Sequence, residues 1–239
     1  MRLAARIGLR VPRVWRRYVP APVYLIERFD RVASGAECLR SHCIDACQLL
    51  DLDRSFKYAE GTVERLADLA ALCRNKPQAR VRLFEWLVFN VLTGNGDAHL
   101  KNLSFEVSHE GIALAPHYDL LSTAVYETQS FGKDGWPGRS ELAWPILGVR
   151  RFGELNRALL LDAGKALFLA RDTCERIAKK QAGVIVARAL ELLEELQREN
   201  VQILEKAHPA LGATFAGELR CVRAIVEVVV RDMAARLAK

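Results

Sequence analysis

The sequence predicts an α+β chain, mostly helical with a few short strands. Apolar residues recur at helical spacing over residues 41–50, 63–71, 78–92, 152–180, 183–207 and 215–238. The strand signal is small by comparison: a β-type run from Val23 to Glu27, and a hairpin written LSFEV, SHEG, IALAP. Between the helix over 78–92 and that hairpin lies a polar loop, Gly94 to Asn102, dense in Asp, Asn and His.

Taken in order, Met1 to Ile7 reads as the end of a helix closed by Gly8. Pro12, Pro20 and Pro22 mark connections. Val23 to Glu27 forms a strand, and Glu27-Arg28-Phe29-Asp30-Arg31 leaves it; taken alone that string is a strand end ringed by paired charges. Ser41 to Leu50 reads as an amphipathic helix, with Ile44, Cys47 and Leu50 three apart and Ser41 with Asp45 at its start. Ser55 to Glu60 is a loop carrying Lys57-Tyr58, and Val63 to Ala71 is a helix. In the next helix, Gln78 to Leu92, Leu83, Leu87 and Val91 stack at four-residue intervals with Phe84 and Val88 beside them. So wide an apolar face means burial, which assigns Trp86 and Phe89 to the core. Glu127 to Gly148 is rich in Gly, Pro and Trp and is expected to be a long, partly ordered loop. Phe152 to Lys180, Gly183 to Ala207 and Phe215 to Ala238 are expected to be helices that pack the lobe. No repeat and no separating linker occurs, so residues 1–239 are expected to form a single domain.

A chain of 239 residues with 51% hydrophobic content can bury a full core. Its six cysteines lack the spacing of a disulfide framework and read as reduced thiols. No uncharged apolar run of about 18 residues occurs, so no membrane span and a cytoplasmic location are expected. The net charge of +6 suits acidic partners such as a nucleotide, a nucleic acid or an acidic protein. No acidic residue precedes Glu27, whereas Arg2, Arg6, Arg10, Arg13, Arg16 and Arg17 do; such a basic arm can track a phosphate backbone. Gly8, Pro12 and the lack of Ser or Thr argue against a transit peptide there.

The chemistry concentrates in Asn90 to Tyr126. Asp97, His99 and Asn102 form D-x-H-x-x-N, and Asp119 follows the hairpin in P-H-Y-D-L-L. Phosphoryl transfer needs one carboxylate to orient the incoming hydroxyl and take its proton. It also needs an amide oxygen and a second carboxylate to hold Mg²⁺ against the phosphates. In protein kinases the loop Asn stands five residues after the catalytic Asp, which is the Asp97–Asn102 interval. Mg²⁺ keeps several of its waters, so one Asn and one Asp suffice. Each residue alone has a blander reading: Gly94-Asn95-Gly96-Asp97 is turn chemistry, and a lone His is more often structural. The set at these intervals points to a kinase-like site. A zinc site is a poor reading, because the carboxylates and His are not joined by Cys and neither H-x-x-x-H nor C-x-x-C occurs.

The strings N-x-L-x-G-N-x-D-A-H-x-K-N and A-P-x-Y-D-L-L-S-T closely resemble the kinase core of the HipA-like family. These are the serine/threonine kinase toxins of HipA/HipB toxin–antitoxin modules. The resemblance extends upstream through Met1 to Arg6, Leu25 to Arg31, Cys47-Gln48 and Lys57-Tyr58, and beyond about Ser140 it is only in general helical character. It implies a kinase-like fold of the HipA type, mostly the helical C-terminal lobe, with residues 1–35 as remnant of the small lobe and interlobe segment and 36–239 as the catalytic lobe. It implies ATP as phosphoryl donor, Asp97 as base, and Asn102 and Asp119 as Mg²⁺ ligands. Glu27 and Phe29 would offer backbone groups to the adenine and Asp30 would cap the turn. Tyr118 would contact ATP, and His99 and Lys101 would lie near the phosphates, with Lys57 a further candidate for phosphate or substrate. The partners it implies are a DNA-binding antitoxin of HipB type and a protein substrate such as an aminoacyl-tRNA synthetase.

The chain has no G-x-G-x-x-G and no V-A-I-K-like strand. The small N-terminal lobe of the family is therefore expected to be largely missing, leaving apolar surface near Val23 to Phe29 uncovered. A separate small-lobe subunit, or a catalytically inactive module that engages an antitoxin, is the alternative expectation.

Overall fold

The computed structural model describes residues 1–19, 21–206 and 211–238; Pro20 and Ala207, read above as a connection and a helix end, lie outside them. A short helix, α1 (Arg2–Arg6), ends where Gly8 takes a φ of +97°. Strands β1 (Val14–Tyr18) and β2 (Pro22–Ile26) form an antiparallel hairpin with Val14 opposite Ile26. In β1 the half-buried positions alternate, as one covered face requires, while every residue of β2 is exposed. Val23, Tyr24, Leu25 and Ile26 are 40–57% exposed, which places uncovered apolar surface where the sequence led one to expect it.

A second exposed hairpin pairs β3 (Arg31–Ser34) with β4 (Glu37–Arg40). Strand β5 (His42–Asp45) follows directly and pairs antiparallel with β6 (Ser104–Ser108), which in turn pairs with β7 (Gly111–Leu114). Helix α2 (Ala46–Leu49) grows out of β5 with Asp45 as its cap. The Asp45 carboxylate accepts from the Gln48 backbone, and the Gln48 side chain accepts from the Asp45 N–H, a reciprocal capping box. The predicted helix over Ser41–Leu50 is thus corrected to strand and short helix. Ile44 sits at helical spacing from Cys47, but its partner is Phe105 of β6, sixty-one residues on, and that non-local pairing decides its conformation.

Helices α3 (Val63–Leu72) and α4 (Lys76–Leu92) follow, capped by the side chains of Thr62 and Asn75. From Leu83 onward almost all of α4 is buried, and Trp86 and Phe89 belong to the core as expected. The region expected as a long loop is more ordered than its composition suggested. Short 3₁₀ turns at Thr123–Glu127 and Gln129–Phe131 lead to a hairpin of β8 (Glu141–Ile146) and β9 (Val149–Arg151). Its two turn residues, Leu147 and Gly148, have φ of +48° and +87°, the conformation a two-residue hairpin demands. Leucine rarely adopts it, so composition gave no hint of a turn there.

The helices after the hairpin are divided differently from the sequence reading. Helix α5 (Arg157–Ala166) ends before Phe168, whose φ is +58°. Helix α6 (Arg171–Lys206) then runs unbroken for 36 residues, with Gly183 exposed in its middle. Helix α7 (Leu211–Ala224) passes through a π-helical stretch, Ile225–Val230, into α8 (Arg231–Ala238), close to the single final helix expected. Helix α6 is the spine: Cys174, Ile177, Ala178, Gln181, Ala182, Ile185, Ala189, Leu192 and Leu196 form its buried stripe. It packs against α1, α4, α5, α7 and α8. Arginines of the basic start are tied to it. Arg2 pairs with Glu195 and Glu199, Arg6 with Glu195, and Arg16 with Glu199 as well as Glu218 of α7.

Helices α5 and α6 approach closely at Gly164, where an added Cβ would lie 2.3 Å from Cys174 Sγ and 3.0 Å from a Phe84 ring carbon. In an open helix Gly→Ala stabilises by about 1 kcal/mol. Overpacking a rigid interior costs about 1–3 kcal/mol and acts on top of that gain with opposite sign. Gly164→Ala is therefore expected to lower the urea midpoint of unfolding, and a raised midpoint would refute this account of the α5–α6 contact.

Candidate active site

The polar loop is delivered by the buried end of α4 and held by amides. The Asn90 side chain donates to the Trp86 carbonyl at 2.8 Å, and the Asn95 side chain donates to Asn90 Oδ1 at 2.7 Å. Asn95 Oδ1 in turn accepts from the Asp97 backbone N–H at 3.0 Å. Both asparagines are almost fully buried, so their polar groups must be satisfied within the loop. Gly94 has a φ of +63° and no room for a Cβ, which would lie 2.7 Å from Val229 and 2.9 Å from Ala124. The Gly96 N–H donates to Thr123 Oγ at 2.7 Å, tying the loop to the segment that follows Asp119.

This frame fixes Asp97 and Asn102 relative to each other. The Asp97 carbonyl accepts from the His99 N–H and from Asn102 Nδ2, both at 2.8 Å. With its nitrogen so engaged, Asn102 turns its oxygen away, and that oxygen has no hydrogen-bond partner among the described residues. Asp119 sits at a φ of +53°, in the left-handed region that Asp tolerates better than most side chains, and its carboxylate is exposed. His99 lies between the two carboxylates electrostatically. Burial holds its imidazole below the usual histidine range and the Lys57 ammonium adds to this, while Asp97 and Asp119 push the other way. Its Nδ1 is buried without a partner among the described residues.

Tyr118 is anchored by its hydroxyl, which donates to the Lys101 carbonyl at 2.8 Å and lies 2.7 Å from Ser104 Oγ. Phe29 stacks on its ring at 5.8 Å, so these two predicted residues meet. Glu27 is exposed and donates its N–H to the Arg13 carbonyl at 2.9 Å, which leaves its carbonyl as the group it can offer. Asp30 pairs with Arg28 and Arg31, and hydrogen bonding to Arg28 draws its carboxyl down to about 2. Lys101 binds Asp45 at 2.5 Å and is thereby turned toward the cap of α2. Lys57 stays beside the site, its ammonium 4.8 Å from the Tyr58 ring centroid.

A cleft of about 570 Å³ opens next to Tyr118 and Asp119. Its other walls include Trp15, Tyr24 and Ile26 of the first hairpin and Leu196 of α6. Tyr24 and Ile26 were not singled out from the sequence, although their alternation in V-Y-L-I places them on one face of β2. Tyr58, noted in the sequence only within the Lys57-Tyr58 pair and given no role, is more consequential: its hydroxyl donates to Asp97 Oδ1 at 2.5 Å. That bond, and burial after it, push its phenol up to about 12. Nothing local in the sequence signals a contact spanning 39 residues.

The residues matched by the family model described as HipA-like C-terminal domain are 1–197, and they include every part of this site. The chain belongs to that family. Among its relatives is the serine/threonine-protein kinase toxin HipA of Shewanella oneidensis, 39% identical over 147 residues, covering 53% of this chain and 33% of the relative. Y4mE of Sinorhizobium fredii is 39% identical over 222 residues, covering 89% and 50%. The chain thus spans between a third and a half of the length of these HipA-like relatives. HipA in the Shewanella oneidensis complex of HipA, HipB and operator DNA superposes with a TM-score of 0.74 at 29% identity, covering 97% of this chain and 56% of that one. The Helicobacter pylori proinflammatory kinase CtkA, at 13% identity and a TM-score of 0.53 over 98% of this chain and 76% of its own, shares the fold. The α+β, mostly helical fold expected from the sequence is the one found.

The segment before Asp119 has an acid-sensitive anchor. His117 is buried, stacks on Trp86, and donates its backbone N–H to the Arg10 carbonyl at 2.8 Å. Burial, and the Arg82 guanidinium after it, lower its imidazole to about 3. An unfolded histidine titrates near 6.5, so below that pH the unfolded chain takes a proton that the folded chain refuses. Stability should fall as pH drops from 6.5 toward 3. Between pH 7.5 and 5.5 the parent is expected to lose roughly 1 kcal/mol more than His117→Gln in urea unfolding. Equal losses in the two proteins would overturn this.

Proposed function

We propose that this chain carries the catalytic lobe of a serine/threonine protein kinase of a toxin–antitoxin module, transferring the γ-phosphoryl group of ATP to a protein hydroxyl. The observation that carries the reading is the Asn102 amide donated to the Asp97 carbonyl. It fixes the two residues as a unit, with the carboxylate of one and the amide oxygen of the other available for different tasks. The Asp97 carboxylate orients the acceptor hydroxyl and takes its proton. The bond from that oxygen to the γ-phosphorus forms as the bond to the β-phosphate oxygen breaks, and ADP leaves.

The donor set suits Mg²⁺. Asn102 and Asp119 supply hard oxygens without sulfur or imidazole, as a cation that keeps its waters and shares phosphate oxygens prefers. Among the described residues no cluster of three or more His, Cys, Asp or Glu could hold a metal by itself, which fits a site completed by the nucleotide. When bound, Mg²⁺ neutralises charge on the phosphates. In the cleft of about 570 Å³, Tyr24, Ile26 and Tyr118 offer apolar and aromatic surface to the adenine. Lys57, which makes no ion pair among the described residues and lies near His99, is better placed than Lys101 to meet phosphate charge.

The uncovered apolar face of β2 is where a further lobe would close on the cleft, from the part of the longer relatives that this chain does not match or from a separate subunit. A HipB-type antitoxin is the partner this reading assigns, because HipA in the superposed complex is bound with HipB.

Two substitutions separate binding from chemistry. Asp119→Ala should abolish Mg²⁺-dependent ATP binding in calorimetric titration while the fold survives, since the side chain is exposed and outside the core. Unchanged affinity would remove Asp119 from the metal site. In protein that includes the lobe closing on the cleft, Asp97→Asn should keep ATP affinity and lower radiolabel transfer by about 10²–10⁴-fold, the range for losing a general base. A variant as fast as the parent would end the base assignment.

A further inference from the structure

A second groove, of about 520 Å³, lies against the same loop and shares no lining residue with the cleft beside Asp119. Its walls include Tyr58, Gly61, Glu141, Leu142, Trp144 and Arg150. It is anchored to the catalytic loop at three successive residues. At Gly96 an added Cβ would lie 2.7 Å from the Glu141 carbonyl, so β8 starts against the loop backbone. At Asp97 the Tyr58 hydroxyl donates to Oδ1. At Ala98 the carbonyl accepts from Trp144 Nε1 at 2.9 Å. Gly61 completes the floor, pressed so close to Trp144 that a Cβ would lie 2.5 Å from the indole. The groove is therefore tied directly to the loop.

We propose that this groove holds the acceptor: an extended polypeptide segment that presents a serine or threonine hydroxyl to Asp97. The inference rests on the assignment of Asp97 as the base. A transfer between two substrates needs a second approach to the reacting atoms, and the Tyr58 phenol shows from which side an O–H group reaches the Asp97 carboxylate. Strand β8 is ladder-paired with β9 only at Glu141 and Ile146, with an irregular register between them. Its middle residues, Leu142 to Pro145, line the groove, offering unladdered backbone and apolar side chains to an extended chain.

The charges fit a polypeptide of mixed sign. Glu141 stands at the loop end of β8 and pairs across the hairpin with Arg151, so Arg150 lies one position from that pair along β9; both Glu141 and Arg150 are exposed. A basic residue close to the acceptor hydroxyl, and an acidic one about two positions away at about 3.3 Å per residue, would match them. A nucleic-acid backbone would meet a carboxylate and an apolar floor where it needs a run of cations.

The test uses the immobilised chain, residues 1–239, and a random peptide library with a central serine, sequenced after retention. The parent should enrich a basic residue near the serine and an acidic residue at one fixed offset. Arg150→Glu should invert the acidic preference and Glu141→Lys the basic one, each by about tenfold, the size of one favourable or unfavourable charge contact. The same preferences in all three proteins, retention no better than background, or displacement of the peptides by a single-stranded RNA pool would overturn the assignment. The kinase reading fails separately. Peptides whose selection inverts with Arg150→Glu but which take no label from Mg·ATP once the lobe that closes on the cleft is supplied would leave the groove standing and the phosphoryl transfer refuted.

Discussion

The site depends on a buried hydrogen bond between two amides. Asn90, still inside α4, and Asn95, already in the loop, are joined at 2.7 Å in an interior that offers them little else. Leaving either group unpaired there would cost about 1–3 kcal/mol. That penalty converts the rigidity of the helix into rigidity of the loop. Everything beyond Asn95 inherits its direction: the Asp97 N–H through Asn95 Oδ1, and then Asn102 through the Asp97 carbonyl. The apolar packing of Leu83, Phe84, Leu87 and Val91 holds the helix itself, so the polar chain starts from a fixed point.

What could be read in the sequence was what is written locally. Helix α4 announces itself through Leu83, Leu87 and Val91, and the β6–β7 hairpin through its turn. The loop announces itself through the interval from Asp97 to Asn102. Ile44 was misread because its spacing to Cys47 satisfies a helix while its neighbour in space is Phe105. The Asp45–Gln48 capping box was a usable signal, placing the helix start four residues later than Ser41. Leu147 hid a hairpin because its positive φ is imposed by the strands on either side. At the site, the Asp97–Asn102 relation was legible, whereas Tyr58 reaches Asp97 from 39 residues away and Trp144 reaches Ala98 from 46. Lys101 stands within the motif, yet Asp45, 56 residues upstream, sets where its charge lies.

Charge in the basic start has a similar lesson. Six arginines before the first acid suggest an arm for phosphates, but Arg2, Arg6 and Arg16 face Glu195, Glu199 and Glu218. Arg16 is only about a quarter exposed, and its pairs form a network with the Tyr18 hydroxyl, 2.7 Å from Glu218. Partly buried networks of this kind hold geometry better than isolated surface pairs do. Here the geometry held is the position of β1, and with it the outer wall of the cleft.

That network joins residues 183 to 202 apart in the chain, as Arg16 to Asn200 and Glu199, and to Glu218. Contacts of such span form late, because the loop must be closed before any of them rewards it. During synthesis, β1 and β2 leave the ribosome long before α6 exists to receive them. The nascent chain can build α3, α4 and the loop with Asp97 while Trp15 and Leu196, on opposite walls of the cleft, have yet to meet. The cleft beside Asp119 is thus a product of the last stage of folding, and a chain interrupted before α6 carries the Asp97 loop without that cleft beside it.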